Sequence, residues 1–401
     1  MGKSIYKNRR KKLLEKLHEL HPEVDGGVVL LFAGLEQDGN PFLQESSFYY
    51  LTGINEPGVV FALYSDGRET LYSPNYGRAR DQWVTSCVGE QEDVEQKLLG
   101  EKCEGYWLKP YFREKEYSNL ISDLKQDYLV FGLLDKSNEN YFTQIYRLEN
   151  LTSRAIDISP IVAQMRRKKD ERELKLIEQA IAVTYRAHDR VAEIIKPGMY
   201  EYEIQAEIEK VFTCNQASVA FPSIVASGKN TTVLHYISRD QKLEDNDMLV
   251  VDIGARVGHY CADITRTYPV SGKFSLRQKE IYDIVRDLQV YVSSLAKPGV
   301  FLINKEAPEN SLHHLACEFL KKLGYDKYFV HGIGHFLGLD VHDVGGSKIA
   351  PAGGLNPLGE GDVITIEPGI YLPDENIGVR IEDDFLITPD GCKKLGFPNK
   401  F

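Results

Sequence analysis

Asp252, Asp263, His335, Glu367 and Glu382 are the side chains whose types and spacing point to chemistry. The first two lie in VVDIGARVGHYCADITRTYPV, His335 lies in HGIGHFLGLDVHD, and the two glutamates lie in TIEPGIYLPDENIGVRIEDD. Four carboxylates and one imidazole form an oxygen-rich donor set. Such a set suits hard or borderline divalent ions, Mn²⁺, Co²⁺, Fe²⁺ or Zn²⁺, and not a thiolate-bound structural zinc. Two ions about 3.5–4 Å apart can share a bridging water and lower its pKa, supplying hydroxide near neutral pH. In a chain with 59 acids a single acid is an ordinary solvated group. Four that are flanked by apolar strand residues need another explanation.

Hairpins would position these groups. A turn at Val257-Gly258 puts Asp252 and Asp263 at equal distances from it, facing each other on one side of a strand pair. A turn at Asp374-Glu375, with Pro373 and Asn376 supplying turn chemistry, does the same for Glu367 and Glu382. A bulge at Pro368-Gly369 would shift the second register. Like charges opposed across strands repel, so two acidic pairs call for cations between them. HGIGH has the two-histidine spacing of a zincin, but Gly332 stands where the zincin glutamate is required. Gly332 and Gly334 also argue against a helix there, and no GxGxxG or Walker pattern supports nucleotide binding.

These segments resemble the metallopeptidase family with the "pita-bread" fold, which includes methionine aminopeptidases, prolidases and Xaa-Pro aminopeptidases (aminopeptidase P). The resemblance spans residues 160–395. HGIGHFLGLDVHDVGG, GVRIEDD and the amino-terminal FLQESSFYYLTGINEPG favour the aminopeptidase P branch. It implies five metal ligands: Asp263 and Glu382 bridging, Asp252 completing one ion, His335 and Glu367 the other. It further implies that Glu367 shuttles protons, that His342 polarises the scissile carbonyl, and that His331 and His235 orient substrate. Tyr371 and Arg380 match pocket or supporting positions. Trp83, in GRARDQWV, resembles a tryptophan given to a neighbouring subunit's site.

The elements around the site read as two domains. Residues 1–160 suggest a layered α/β domain, with candidate strands at 27–34, 48–53, 59–65 and 128–134. Residues 161–401 suggest a pita-bread α+β catalytic domain. A long helix carries Leu174, Ile177, Ile181, Val191 and Ile195 on one face and stops at Pro197-Gly198. Lys-Pro-Gly recurs at 196–198 and 297–299, and the acidic hairpins are separated by a similar interval, as in two halves related by a pseudo-twofold axis. At the amino terminus, Leu13, Leu17 and Leu20 fit an amphipathic helix capped by Ser4. Gly2 is not a myristoylation signal with Tyr6 where Ser or Thr is expected.

A net charge of −11 makes nucleic acid an unsuitable partner. No apolar run approaches the ~20 residues of a membrane span, so no membrane is expected. Six scattered cysteines without a CxxC predict a reduced, cytoplasmic setting. Cys261, two residues before Asp263, would share its face, while His188, His259, His313 and His314 read as structural. The expected function is a two-metal, Mn²⁺-dependent Xaa-Pro aminopeptidase. It would release the first residue of peptides with proline second, by attack of a metal-bridging hydroxide, and act as a homodimer or homotetramer. A prolidase is the alternative. A non-catalytic pita-bread binding protein is the remote one.

Overall fold

The structure is a computed structural model that describes residues 3–35, 41–74, 106–111, 129–136, 141–152, 154–345 and 356–396. Trp83 and the polar stretch at 90–99 lie outside the described residues. The chain divides into two compact units, Met1–Arg166 and Arg167–Phe401.

The first unit contains α1 (Lys3–Leu20), β1 (Val28–Phe32), α2 (Ser46–Thr52), β2 (Val60–Tyr64), β3 (Glu69–Pro74), β4 (Tyr106–Tyr111), β5 (Val130–Gly132), α3 (Phe142–Leu151) and β6 (Ala155–Asp157). Helix α4 (Ser159–Arg167) follows at the division. The strands form one mixed sheet in the order β4-β3-β2-β1-β5-β6. Val28, Leu30, Phe32, Val60 and Ala62 share a face, as a period of two requires, and pack with Leu148 of α3. In α1, Leu13 and Leu17 are buried while Leu20 is exposed. The helix is described from Lys3, and Ser4 lies within it.

One expected strand is a helix. FYYLTG at 48–53 is rich in strand formers, yet Glu45 caps α2 by accepting the Ser47 and Phe48 amides, and Gly53 closes it at φ 72°. End signals outweigh the modest strand preference of three aromatic residues.

The second unit contains α5 (Glu171–Ile194), α6 (Glu201–Cys214), β7 (Ser218–Val219), β8 (Ile224–Ser227), β9 (Met248–Ile253), β10 (Ala255–Val257), β11 (Tyr260–Cys261) and β12 (Ile264–Pro269). It continues with α7 (Leu276–Leu295), α8 (Leu312–Leu323), β13 (Val363–Ile366), β14 (Gly369–Leu372), β15 (Ile377–Arg380), β16 (Asp383–Ile387) and β17 (Cys392–Lys394). Helix α5 starts at a capping box formed by Asp170 and Glu173 and buries Ile177, Ile181 and Val191.

The two halves repeat each other down to single hydrogen bonds. Gly198 after α5 has φ 90° and donates to the Leu243 carbonyl; Gly299 after α7 has φ 88° and donates to the Leu358 carbonyl. Asp247 then accepts the Glu244 amide and Asp362 the Gly359 amide, each one residue before the first strand of an acidic hairpin. Each half has its own apolar core, one around Val191, Phe212 and Val251, the other around Val285, Leu320 and Ile366. The hairpins therefore enter the centre of the unit from two equivalent scaffolds.

Candidate active site

Both acidic hairpins split into two short strand pairs; Asp263, Glu367 and Glu382 sit at the splits, and Asp252 lies within β9. In the second, Ile366 pairs with Asp383 and Gly369 with Arg380, so Glu367 stands opposite Glu382 as the turn chemistry predicts. Pro368 does not shift the register. In the first, Asp252 pairs with Thr265 and not with Asp263. The turn lies at Gly258-His259, both left-handed (φ 53° and 75°), one position beyond the expected Val257-Gly258. The resulting displacement is two residues, an even number, so both aspartates keep the same face.

The hairpins are fastened to each other. Glu382 donates its amide to the Thr265 carbonyl (3.1 Å), and Thr265 Oγ1 donates to Glu382 Oε2 (2.7 Å). Arg380 Nη2 donates to Asp252 Oδ2 (2.7 Å), and the Asp263 amide donates to Asp384 Oδ2 (3.2 Å). The segment carrying His335 lies along β13: Thr365 donates its amide to the His335 carbonyl and Glu367 to the Ile333 carbonyl. That approach needs Gly334, since a Cβ there would overlap the Thr365 carbonyl.

Asp263, His335 and Glu382 each offer a ligand atom, and these atoms lie within 4.8 Å of one another. His335 Nδ1 faces the Phe336 carbonyl at 3.0 Å. The proton therefore sits on Nδ1, and the Nε2 lone pair points toward Asp263 Oδ2 (3.4 Å) and Glu367 Oε1 (3.7 Å). Nε2 and the carboxylates repel each other unless a proton or a metal cation stands between them. Asp252 Oδ1 and Asp263 Oδ1 are buried without a hydrogen-bond partner among the described residues. Burial, and then Asp252, Asp384 and Glu367 nearby, push the Asp263 carboxyl well above the usual carboxylate range. Burial and the neighbouring acids do the same to Glu382 and bring Glu367 up to about 7. Oxygen donors with orphaned lone pairs and one imidazole fit divalent ions.

A second chain of contacts runs back from Asp252. Arg380 Nη1 donates to the Tyr371 hydroxyl (2.9 Å), which lies 2.9 Å from His331 Nε2. His331 Nδ1 faces the Gly332 carbonyl at 2.8 Å, so Nε2 accepts the Tyr371 proton. Burial first, then Arg380, depresses His331 to about 4. The His342 ring lies 4.3 Å from that of His335. Partial burial first, then His335 and His235, also bring His342 down to about 4, and His235 itself is exposed. Structure thus gathers Asp252, Asp263, His335, Glu367, Glu382, His331, His342, Tyr371 and Arg380, with His235 close enough to act on His342.

Residues 175–389 match the profile of metallopeptidase family M24, and residues 6–100 match the aminopeptidase P N-terminal domain. The chain belongs to metallopeptidase family M24. It is 32% identical to the Xaa-Pro aminopeptidase of Escherichia coli, over 98% of this chain and 95% of the relative. It is also 32% identical to the Xaa-Pro dipeptidase of Pyrococcus furiosus, over 86% of this chain and 90% of the relative. The structure of E. coli aminopeptidase P with the inhibitor Pro-Leu superposes with a TM-score of 0.81 at 30% identity, covering 98% and 95% of the two chains. The fold is therefore that of the family, an aminopeptidase P N-terminal domain followed by a pita-bread domain.

Sequence reasoning passed over two members of this M24 site. Asp384 is buried, accepts the Asp263 amide and keeps Oδ1 without a partner. Thr265 orients Glu382. The adjacent acids in GVRIEDD were the available signal for Asp384. Asp383 faces the other way, to Arg266 (2.7 Å) and Lys394 (2.9 Å). Cys261 does not line the site: it is buried and its thiol donates to the Leu339 carbonyl. His188 is a core residue between Tyr268 and the Ile264 carbonyl. Among the described residues no helix is long and apolar enough to cross a membrane.

The raised carboxyls predict how metal loading depends on pH. Without metal, burial and mutual repulsion raise Asp263 and Glu382 well above the usual carboxylate range and bring Glu367 to about 7, and a divalent ion must displace the protons these groups hold. Binding should release protons, and apparent affinity should weaken as pH falls through about 7, where Glu367 titrates. Calorimetric titration of stripped protein in buffers of different ionisation enthalpy measures the release. No net release between about pH 6.5 and 7.5 contradicts the expectation.

Proposed function

We propose that this protein is a divalent-metal-dependent Xaa-Pro aminopeptidase, which releases the first residue of peptides with proline second. The observation that carries this reading is the convergence of Asp263, His335 and Glu382, on a chain related almost end to end to an Xaa-Pro aminopeptidase. Asp252, Asp263, His335, Glu367 and Glu382 would hold two divalent ions. Manganese is the ion we favour, on the oxygen-rich donors. Divalent ions bound there would activate a water for attack and polarise the carbonyl it attacks.

The remaining work falls to side chains. A bond before proline has no N–H, so an extended-strand grip on that group is unavailable, and the amino terminus and ring must be held instead. Glu367 can take the water's proton and give it to the proline nitrogen as the bond breaks. His342 is neutral at pH 7 and can donate an N–H to the carbonyl oxygen. Arg380 neutralises Asp252 and, through Tyr371, fixes the His331 ring beside the substrate. We assign His235 and Trp83 to substrate contacts. A cytoplasmic homo-oligomer, dimer or tetramer, completes the reading; the absence of a cysteine framework supports the compartment, and the likeness of Trp83 to a subunit-bridging residue supports the assembly.

The similarity to a P. furiosus Xaa-Pro dipeptidase keeps prolidase as the second reading. An assay of X-Pro-Y tripeptides, X-Ala-Y tripeptides and X-Pro dipeptides with Mn²⁺ decides. We expect X-Pro-Y to be cleaved and X-Ala-Y to be left intact. Cleavage of dipeptides alone moves the protein to the prolidases.

A further inference from the structure

Glu201 is fully buried at the start of α6 and accepts five hydrogen bonds. Oε1 accepts from the Ser227 amide (2.6 Å), the Ser227 hydroxyl (2.8 Å) and Asn230 Nδ2 (3.2 Å). Oε2 accepts from the Tyr236 hydroxyl (2.8 Å) and the Gln241 amide (3.1 Å). A carboxylate offers about four lone-pair sites, so this one is saturated. The start of a helix also favours negative charge.

Every one of these donors belongs to residues 227–241, the connection that carries His235. Ser227 opens the connection, Gln241 closes it, and Tyr236 follows His235 directly. The Thr231 carbonyl of the same connection rests on Gly378, where a Cβ would overlap it. Gly378 pairs with Tyr371. The connection is thus held at its base by one carboxylate and seated against the hairpin that bears Tyr371 and Arg380.

We propose that Glu201 is a positioning residue for the reaction: it clamps residues 227–241 at both ends and thereby sets where His235 stands beside His342. This rests on the role proposed for His235. The side-chain partners of Glu201 among the described residues are Ser227, Asn230, Tyr236 and Gln241, none of them a proposed metal ligand, so its effect must pass through the connection. Replacing it with glutamine keeps the size but turns one acceptor into a donor against Ser227 or Gln241, and loosens both ends.

The experiment combines two measurements. Hydrogen exchange over residues 227–241 is compared in the full-length parent and Glu201→Gln, with bound metal quantified. We expect faster exchange in this segment with unchanged metal content; unchanged protection overturns the clamp whether or not the substrate reading holds. In parallel, kcat and KM for an X-Pro-Y peptide are measured for the parent, Tyr236→Phe, His235→Ala and the double variant. Tyr236→Phe removes a single hydroxyl, so it tests the inference even if Glu201→Gln does not fold. It should lower kcat/KM on the order of tenfold in the parent and by less than about twofold once His235 is alanine. Equal losses in the two backgrounds, or no loss in the parent, overturn the positioning role. A fully active His235→Ala enzyme ends the His235 assignment and this inference with it.

Discussion

Asp263→Ala should empty the site of at least one ion and lower kcat/KM by a factor on the order of 10³ or more, equivalent to the several kcal/mol that metal activation supplies. Asp263 is one of three residues whose ligand atoms converge within 4.8 Å. Its Oδ2 faces the His335 lone pair, and its Oδ1 has no protein partner. Asp252 Oδ2 is held by Arg380, so it is not free to move into the place Asp263 leaves. The same crowding predicts an opposite effect on stability. Without metal, Asp263 is a buried acid among Asp252, Asp384 and Glu367. The isosteric Asp263→Asn should therefore make the stripped protein at least as stable as the stripped parent, while the parent gains most when metal is added. Elemental analysis, peptide hydrolysis and thermal melts with and without chelator measure the three effects. Full activity in a thoroughly stripped parent would end the metal assignment.

The acids were legible because strand alternation is a strong local signal. Glu367 and Glu382 meet as expected because Pro373 and Asn376 define their turn, and Asn376 takes the left-handed conformation (φ 53°). Asp252 and Asp263 were placed on the correct face but two residues out of register. His259 occupies a left-handed turn position usually filled by Gly or Asn, and nothing in its side chain advertises that. The Lys-Pro-Gly repeat carried more information than its commonness suggested, because each glycine makes the equivalent hydrogen bond in its own half. FYYLTG failed for the converse reason: composition was read, and the capping role of Glu45 was not.

What remained hidden was long-range and polar. Arg380 meets Asp252 across 128 residues of chain, and Thr265 meets Glu382 across 117. No periodicity encodes such pairs, since they form only when the two halves close on each other. Glu201 is one of 59 acids in the sequence, and its buried hub depends on a connection 26 to 40 residues downstream. Periodic patterns thus reveal which face is buried, whereas the electrostatic partners that tune a site emerge only from the closed fold.

Glu367→Gln should separate metal binding from proton transfer. Glu367 stands at the split of the second hairpin, 3.7 Å from His335 Nε2 and 3.6 Å from His331 Nδ1. Burial raises its carboxyl to about 7, with part of the shift offset by His335 and Arg380. A carboxylate beside the reacting water can take its proton and return it to the leaving nitrogen. Glutamine keeps the shape and one oxygen donor but cannot carry the proton. The variant should therefore retain at least one ion at Asp263, His335 and Glu382, while kcat falls by a factor on the order of 10²–10⁴. His342→Ala should also keep its metal and lose activity by a comparable factor, because His342 contributes an N–H to the carbonyl and no ligand. The pH profiles distinguish the roles. His342→Ala should keep the parent's dependence on the essential carboxylate, whereas Glu367→Gln should lose it. A metal-loaded Glu367→Gln enzyme with kcat within tenfold of the parent would remove Glu367 from proton transfer, and an unchanged kcat/KM in His342→Ala would remove His342 from the carbonyl.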